Sequence, residues 1–349
     1  MNKTILNADD NYFAAANSYN GFYSEFDKTF STHNHERIFI LKGGPGTGKS
    51  SLIKNIIAWG KENGHKCSAI YCSSDPKSLD GAIISKESRS IAILDGTAPH
   101  DIDARLPGAA EEICDLGAHL NNTALRSNKE LLESLLNSKQ AAYERAYLYL
   151  RLAGNINNII FNRISELIDY SEAERLANKI IPEGINNSEH PCRTKVIARF
   201  SRDGKGFIDG YNQLGLKEIV IKGDGISEYV VMDHIVKKLS AKNSIQSLCI
   251  SVPDLKKYDA AITNKILFRV AINSEDGIPC DSIYKKKSIE INRLLQMRTD
   301  SENLAKCALK EASDHHFELE KYYSSAMNFT LNERLTKRII SDCSFLLNT

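Results

Sequence analysis

The segment "RIFILKGGPGTGKSSLIKNI", residues 37–56, limits the fold more than any other stretch of the chain. "RIFIL" is a short apolar run rich in β-branched residues, the pattern of a buried central strand. Gly43-Gly44-Pro45-Gly46-Thr47-Gly48-Lys49-Ser50 follows and fits G-x-x-x-x-G-K-[ST]. Beyond Ser51, residues Leu52, Ile53, Ile56, Ile57 and Trp59 share one helical stripe, with Gly60 or Gly64 as its stop. Strand, glycine loop and helix in this order predict a cradle for a phosphate chain. Successive backbone N–H groups must point at the phosphate oxygens, and side chains on the loop would block that approach. The helix start adds its positive dipole end.

Gly43, Gly44, Pro45, Gly46, Thr47, Gly48, Lys49, Ser50 and Ser51 are therefore expected to bind a nucleotide. Lys49 supplies a mobile charge for the β- and γ-phosphates, and the Ser50 hydroxyl a ligand for Mg²⁺. The plainer alternative is a glycine-rich turn with no ligand. A second metal ligand is expected at Asp95, which ends the apolar run "IAIL" at the carboxyl end of a strand, where ligands bind in doubly wound sheets. Many ATPases follow this Asp with a Glu that orients water, but here Gly96 stands in its place. Asp75, Asp80 and His100 are the candidate replacements, although Asp75-Pro76 and Asp80-Gly81 read equally well as turns. Thr97 is a candidate sensor of the γ-phosphate or a plain turn residue.

A weaker copy of the same pattern lies downstream. Lys42-Gly43 is echoed by Lys222-Gly223, the Leu79–Ile83 segment by Tyr258–Ile262, and Ala92-Ile93 by Ala271-Ile272, in order and at nearly constant spacing. "AAANSYNGFYSEF" resembles "IARFSRDGKGFIDGY", and "SEAERLANKII" resembles "LNERLTKRII". The second copy, "KGDGISEYVV", sets Glu228 about where Lys49 stands and Tyr229 about where Ser50 stands. A carboxylate there repels a triphosphate. In this alignment Asp95 falls on Ser274, with Glu275 and Asp276 close by.

The expected fold is α/β: a P-loop NTPase with a doubly wound, mostly parallel sheet, duplicated, each half followed by a helical hairpin. Residues 1–108 are expected to form the active core and 109–190 a helical segment. Residues 191–284 would form the degenerate core and 285–349 the second helical segment. The aromatic run "YERAYLYLRL" is read as a buried helix face, and His315-His316 suggests a metal only faintly, since adjacent helical residues point apart.

Charge and cysteine usage narrow the class. The net charge is +1 and the longest block of like charge is Lys285–Lys287, which makes nucleic acid an unlikely partner. The eight cysteines form no C-x-x-C pair, so disulfide and metal frameworks are not expected. "MNKTILNADDNYF" does not read as a signal peptide, and no apolar run is long enough to span a membrane. A cytoplasmic protein is expected.

"LKGGPGTGKSSLIK", "YCSSDPKSLDG" and "LDGTAPHDIDARLPGAAEEI" together resemble an uncharacterised bacterial (firmicute) family of tandem P-loop ATPases. The resemblance covers nearly the whole chain, with specific motifs in the first half and eroded ones in the second. It implies ATP binding and hydrolysis, with some leaning to nucleotide kinase. It sets the phosphate loop on Gly43–Ser50 and the signature segments on Asp75, Asp80, Asp95 and His100. Family members commonly keep a second intact loop where this chain has Asp224–Tyr229.

Three functions stay open at this stage. One is an Mg²⁺-dependent ATPase whose second half completes the site, with an arginine such as Arg193, Arg199, Arg202 or Arg269 neutralising charge. Another is a small-molecule or nucleotide kinase, with Asp75 as base for an acceptor. The last is a non-catalytic, ATP-gated partner of an unknown protein. The chain has no N-K-x-D motif for reading guanine, which favours ATP.

Overall fold

The computed structural model describes residues 8–75, 77–188, 192–196, 216–272, 274–285 and 291–348. Arg199, Arg202, the side chain of Arg193, the whole upstream echo at 197–211 and two residues of the Lys285–Lys287 block lie outside them.

The first half contributes β1 (Asp10–Phe13), the ribbon β2 (Ala15–Ser18) and β3 (Gly21–Ser24), and the short α1 (Phe26–Thr29). Then come β4 (Arg37–Lys42), α2 (Lys49–Glu62), β5 (Lys66–Tyr71), β6 (Leu79–Lys86), β7 (Arg89–Asp95) and β8 (Glu111–Asp115). Short α3 (Asn122–Arg126) leads into a hairpin of α4 (Lys129–Ser165) and α5 (Tyr170–Ile180). The second half contributes β9 (Arg193–Val196), β10 (Lys217–Gly223), α6 (Ser227–Ala241), β11 (Ser247–Ile250), β12 (Tyr258–Ile262), β13 (Ile266–Ile272) and β14 (Ile278–Pro279). Its hairpin is α7 (Asn292–Ser325) and α8 (Phe329–Asn348).

The fold is mixed α/β with a parallel-rich sheet. Twelve strands run in the order β14-β10-β13-β12-β11-β9-β1-β5-β6-β7-β4-β8. Read outward from the antiparallel junction of β1 with β9, the order β1-β5-β6-β7-β4-β8 is met again as β9-β11-β12-β13-β10-β14. In each half the third strand runs antiparallel to both neighbours, as β6 does between β5 and β7 and β12 between β11 and β13. The expectation of a mostly parallel, doubly wound sheet missed these strands, because a buried apolar run looks the same in either direction.

Two other boundaries differ from the sequence reading. The segment expected to be helical from 109 first adds β8 to the sheet edge, parallel to β4. Register also revises one echo. Asp95 pairs with Leu41, whereas Val270 pairs with Ile221, the residue before Lys222-Gly223. The first half's β6–β7 hairpin is longer, so Ala92-Ile93 does not share a register position with Ala271-Ile272. Val270, not Ser274, holds the position of Asp95.

Helix α2 forms where the stripe predicts, burying Leu52, Ile53, Ile56 and Ile57 against the sheet. Each such side chain contributes roughly 1.5–3 kcal/mol by leaving water. The helix runs through Gly60, where a Cβ would meet Cys67 Sγ at 2.8 Å, and stops before Gly64, whose φ is +71°. Gly60 is thus a packing glycine, and Gly64 the stop.

The hairpins cross over. α5 packs on α6 of the second half, and α8 packs on α2 of the first, while α4 and α7 run together between them. Small residues permit that approach: Ala146 and Ala153 on α4, and Ala305, Ala308 and Ala312 on α7, are all buried. No helix among the described residues is long and apolar enough to cross a membrane.

Candidate functional site

Lys42 ends β4, and the chain leaves the sheet as the glycine loop. Gly46 and Gly48 have φ of +70° and +87°, a region that L side chains rarely adopt, so the loop's path requires glycine at both. The Thr47 hydroxyl donates to Gly44 O at 2.8 Å and holds the loop closed. Lys49 folds back, donating from Nζ to Gly43 O at 2.6 Å and Gly44 O at 2.8 Å. Its ammonium lies 3.5 Å from Asp95 Oδ2, so the ends of β4 and β7 bring the two charges together. Beside them, Ser50 Oγ accepts from the Leu79 N–H at 2.9 Å.

Asp95 is set by Thr97, whose N–H and hydroxyl both donate to Oδ1, at 2.9 and 2.5 Å. Burial raises the Asp95 pKa and neighbouring Asp80 adds to the rise, while the Lys49 charge opposes it. Thr97 is thus bonded to the candidate metal ligand. Gly96 has a steric cause: a Cβ there would meet Ile40 Cγ2 at 2.4 Å and Ile102 O at 3.1 Å. No side chain fits at the position where a Glu was sought.

The three replacement candidates fare differently. Asp80 is not a turn residue but lies buried in β6, with Oδ2 at 3.1 Å from His100 Nε2. His100 stacks on Phe26 with ring centroids 3.7 Å apart, and its Nδ1 is buried without a hydrogen-bond partner. These two form one buried dyad, and the Asp80 charge acts on Asp95. Asp75 accepts from the Lys77 N–H at 3.1 Å, the geometry of a turn. Ser51, on the first turn of α2, is exposed.

Sequence reasoning missed what covers the loop. A Cβ at Gly46 would lie 2.5 Å from Glu320 O, and one at Gly44 would lie 3.0 Å from the Tyr323 ring, so α7 rests on the loop. From α8, Asn332 donates through Nδ2 to Thr47 O at 2.7 Å, and its Oδ1 lies 2.7 Å from His119 Nδ1. No local pattern marks these residues, because their role follows from the crossing of the hairpins. Arg269, the described arginine among the proposed donors, instead pairs with Glu218 on the second half.

The second loop is organised around carboxylates. Asp224 Oδ1 accepts from the N–H groups of Ile226 and Ser227 at 3.1 and 3.0 Å. Glu228 is fully buried, and its Oε2 accepts from the Gly225 N–H at 3.1 Å. Side chains thus satisfy N–H groups that a phosphate would need. Burial pushes the Glu228 carboxyl up to about 7. Among the described residues, no cluster of three or more His, Cys, Asp or Glu side chains is arranged to hold a metal ion.

A family model described as Nephrocystin 3, N-terminal, matches residues 23–150. That domain is found in NTPase-like proteins, and the match runs from β3 into α4, taking in the glycine loop, Asp80, Asp95 and His100. No curated protein and no solved structure matches the chain significantly.

Proposed function

We propose that this chain is an Mg²⁺-dependent ATP-binding protein, and a hydrolase of the β–γ bond, with one working site in the first half. The observation that carries this reading is the convergence of Lys49 and Asp95, 3.5 Å apart, at the end of a glycine loop that leads into α2. The donor set fits the ligand. A flexible ammonium that donates to loop carbonyls can exchange them for phosphate oxygens. Ser50 and Asp95 would hold the magnesium, which neutralises phosphate charge. The Asp80–His100 dyad is the remaining candidate for steering a water, acting through the neighbourhood of Asp95.

On this reading the fold is a duplicated P-loop NTPase. The repeated strand order supports duplication, while Glu228 and Val270 in place of Lys49 and Asp95 support a silent second site. For the kinase alternative Asp75 would serve as base, and its Oδ1 accepts from the Lys77 N–H.

The test is phosphate release from ATP and Mg²⁺ by the purified protein, with Lys49→Ala as control and nucleotide binding measured alongside. Release that vanishes in the variant supports the hydrolase. Tight binding without release would leave an ATP-gated binding protein, and no binding at all would sink the proposal.

A further inference from the structure

Two ammonium groups approach the covered loop, and only one of them belongs to the loop motif. Lys139, on α4, lies half-buried with Nζ 3.2 Å from His316 Nδ1 on α7. With the lysine donating, Nδ1 accepts, and the ring's Nε2–H faces Glu320 Oε1 at 3.4 Å. Glu320 is the residue whose carbonyl rests on Gly46. One turn along α4, the Tyr143 hydroxyl lies 3.1 Å from Ser74 Oγ and ties the helix to the segment leaving β5. Lys139 is therefore held between the cover of the loop and the 72–75 segment.

Its charge environment is unusual. Among the described residues no carboxylate lies within salt-bridge distance of it, and the field of Lys49 reaches it. Burial, with that like charge, lowers its pKa, although Glu320 partly compensates. A half-buried ammonium that feels a second positive charge and has no direct counter-ion is costly, and a bound polyanion removes the cost. The other lysine nearby, Lys42, is already paired with Asp103 at 2.9 Å and Asp101 at 3.4 Å.

Resting on the nucleotide reading above, we propose that Lys139 is a second cation of the site, contacting the terminal phosphate and distinguishing a nucleoside triphosphate from a diphosphate. It takes the place in which an arginine of the second half was expected, and His316 of the second half holds it there. A cation directed at the outermost phosphate has nothing to touch when that phosphate is gone.

The experiment is equilibrium binding of a non-hydrolysable ATP analogue and of ADP, both with Mg²⁺, to the full chain and to Lys139→Gln and Lys139→Arg. Lys139→Gln should bind the ATP analogue about tenfold or more weakly, as expected for one lost charged contact. It should bind ADP within about twofold of the parent, and Lys139→Arg should recover most of the loss. Equal weakening for both nucleotides, or none for either, overturns the assignment. A parent protein that binds neither nucleotide overturns it together with the nucleotide reading, whereas a parent that binds both while Lys139→Gln changes nothing overturns this proposal alone. Amine acylation of the unaltered protein is a check that needs no variant. ATP analogue, but not ADP, should protect Lys139, and its failure to protect would equally count against the assignment.

Discussion

Asn332 of α8 donates a hydrogen bond of 2.7 Å to the carbonyl of Thr47, joining the second half's hairpin to the glycine loop of the first. The donor is 7% exposed, and its other face meets His119, so water cannot easily replace it. Asn332→Ala leaves the Thr47 carbonyl and the His119 ring short of a partner. The expected cost is about 1–3 kcal/mol, read by urea unfolding. The loop's amide protons should also exchange faster in the variant. An unchanged midpoint and unchanged exchange would show that the crossing contact contributes little.

Gly96 closes off the usual place for a water-orienting glutamate. Gly96→Ala drives a Cβ against Ile40, 2.4 Å away, at the junction of β4 and β7. About 1–3 kcal/mol of destabilisation is expected, and more for Gly96→Glu. Thermal unfolding of the two variants gives the order. If Gly96→Glu were as stable as the parent, the steric account of this glycine would be wrong.

Asp95→Asn separates charge from shape. The amide oxygen can still accept from Thr97, and the desolvation that raises the Asp95 pKa is relieved. Stability should therefore be held or gained at neutral pH, while the Mg²⁺ dependence of nucleotide binding falls sharply. Titrating Mg²⁺ at fixed nucleotide measures the second effect. A variant that keeps the parent's Mg²⁺ dependence would remove Asp95 from the metal site.

Glu228 predicts a pH dependence with a definite sign. Its carboxyl titrates near 7 when folded and near 4.5 when unfolded, so between those values the native state binds the extra proton. Stability then falls as pH rises from about 4.5 to 7 and is flat above. The span corresponds to roughly 3 kcal/mol. Glu228→Gln should be more stable than the parent at pH 8 and should lose this part of the slope. Urea melts of both proteins between pH 5 and 8 give the comparison, and parallel curves would refute it.

The strand at 37–42, the loop after it and the helix from Lys49 were legible in the sequence because their causes are local. Apolar period selects strand and helix, and the left-handed dihedrals of Gly46 and Gly48 exclude other residues. Asp95 was also legible, as the polar residue closing an apolar run. The direction of β6 was not, since an apolar strand carries no mark of its orientation. The residue of the second half that shares the strand register of Asp95 was hidden for a related reason. A two-residue match aligned Ala92-Ile93 with Ala271-Ile272, but hairpin length sets the register, and length differences are invisible until strands pair.

By itself the sequence determined a strand, glycine loop and helix in the first half, and a second such run that carries Glu228 near the place of Lys49. Tertiary structure alone decided that Glu320, Tyr323 and Asn332 lie over the first loop, and that Lys139 and His316 meet beside it. Those residues come from helices that cross to the opposite half. Contacts between segments so far apart in the chain arise from packing long amphipathic helices together, and no short-range pattern records which ends will meet.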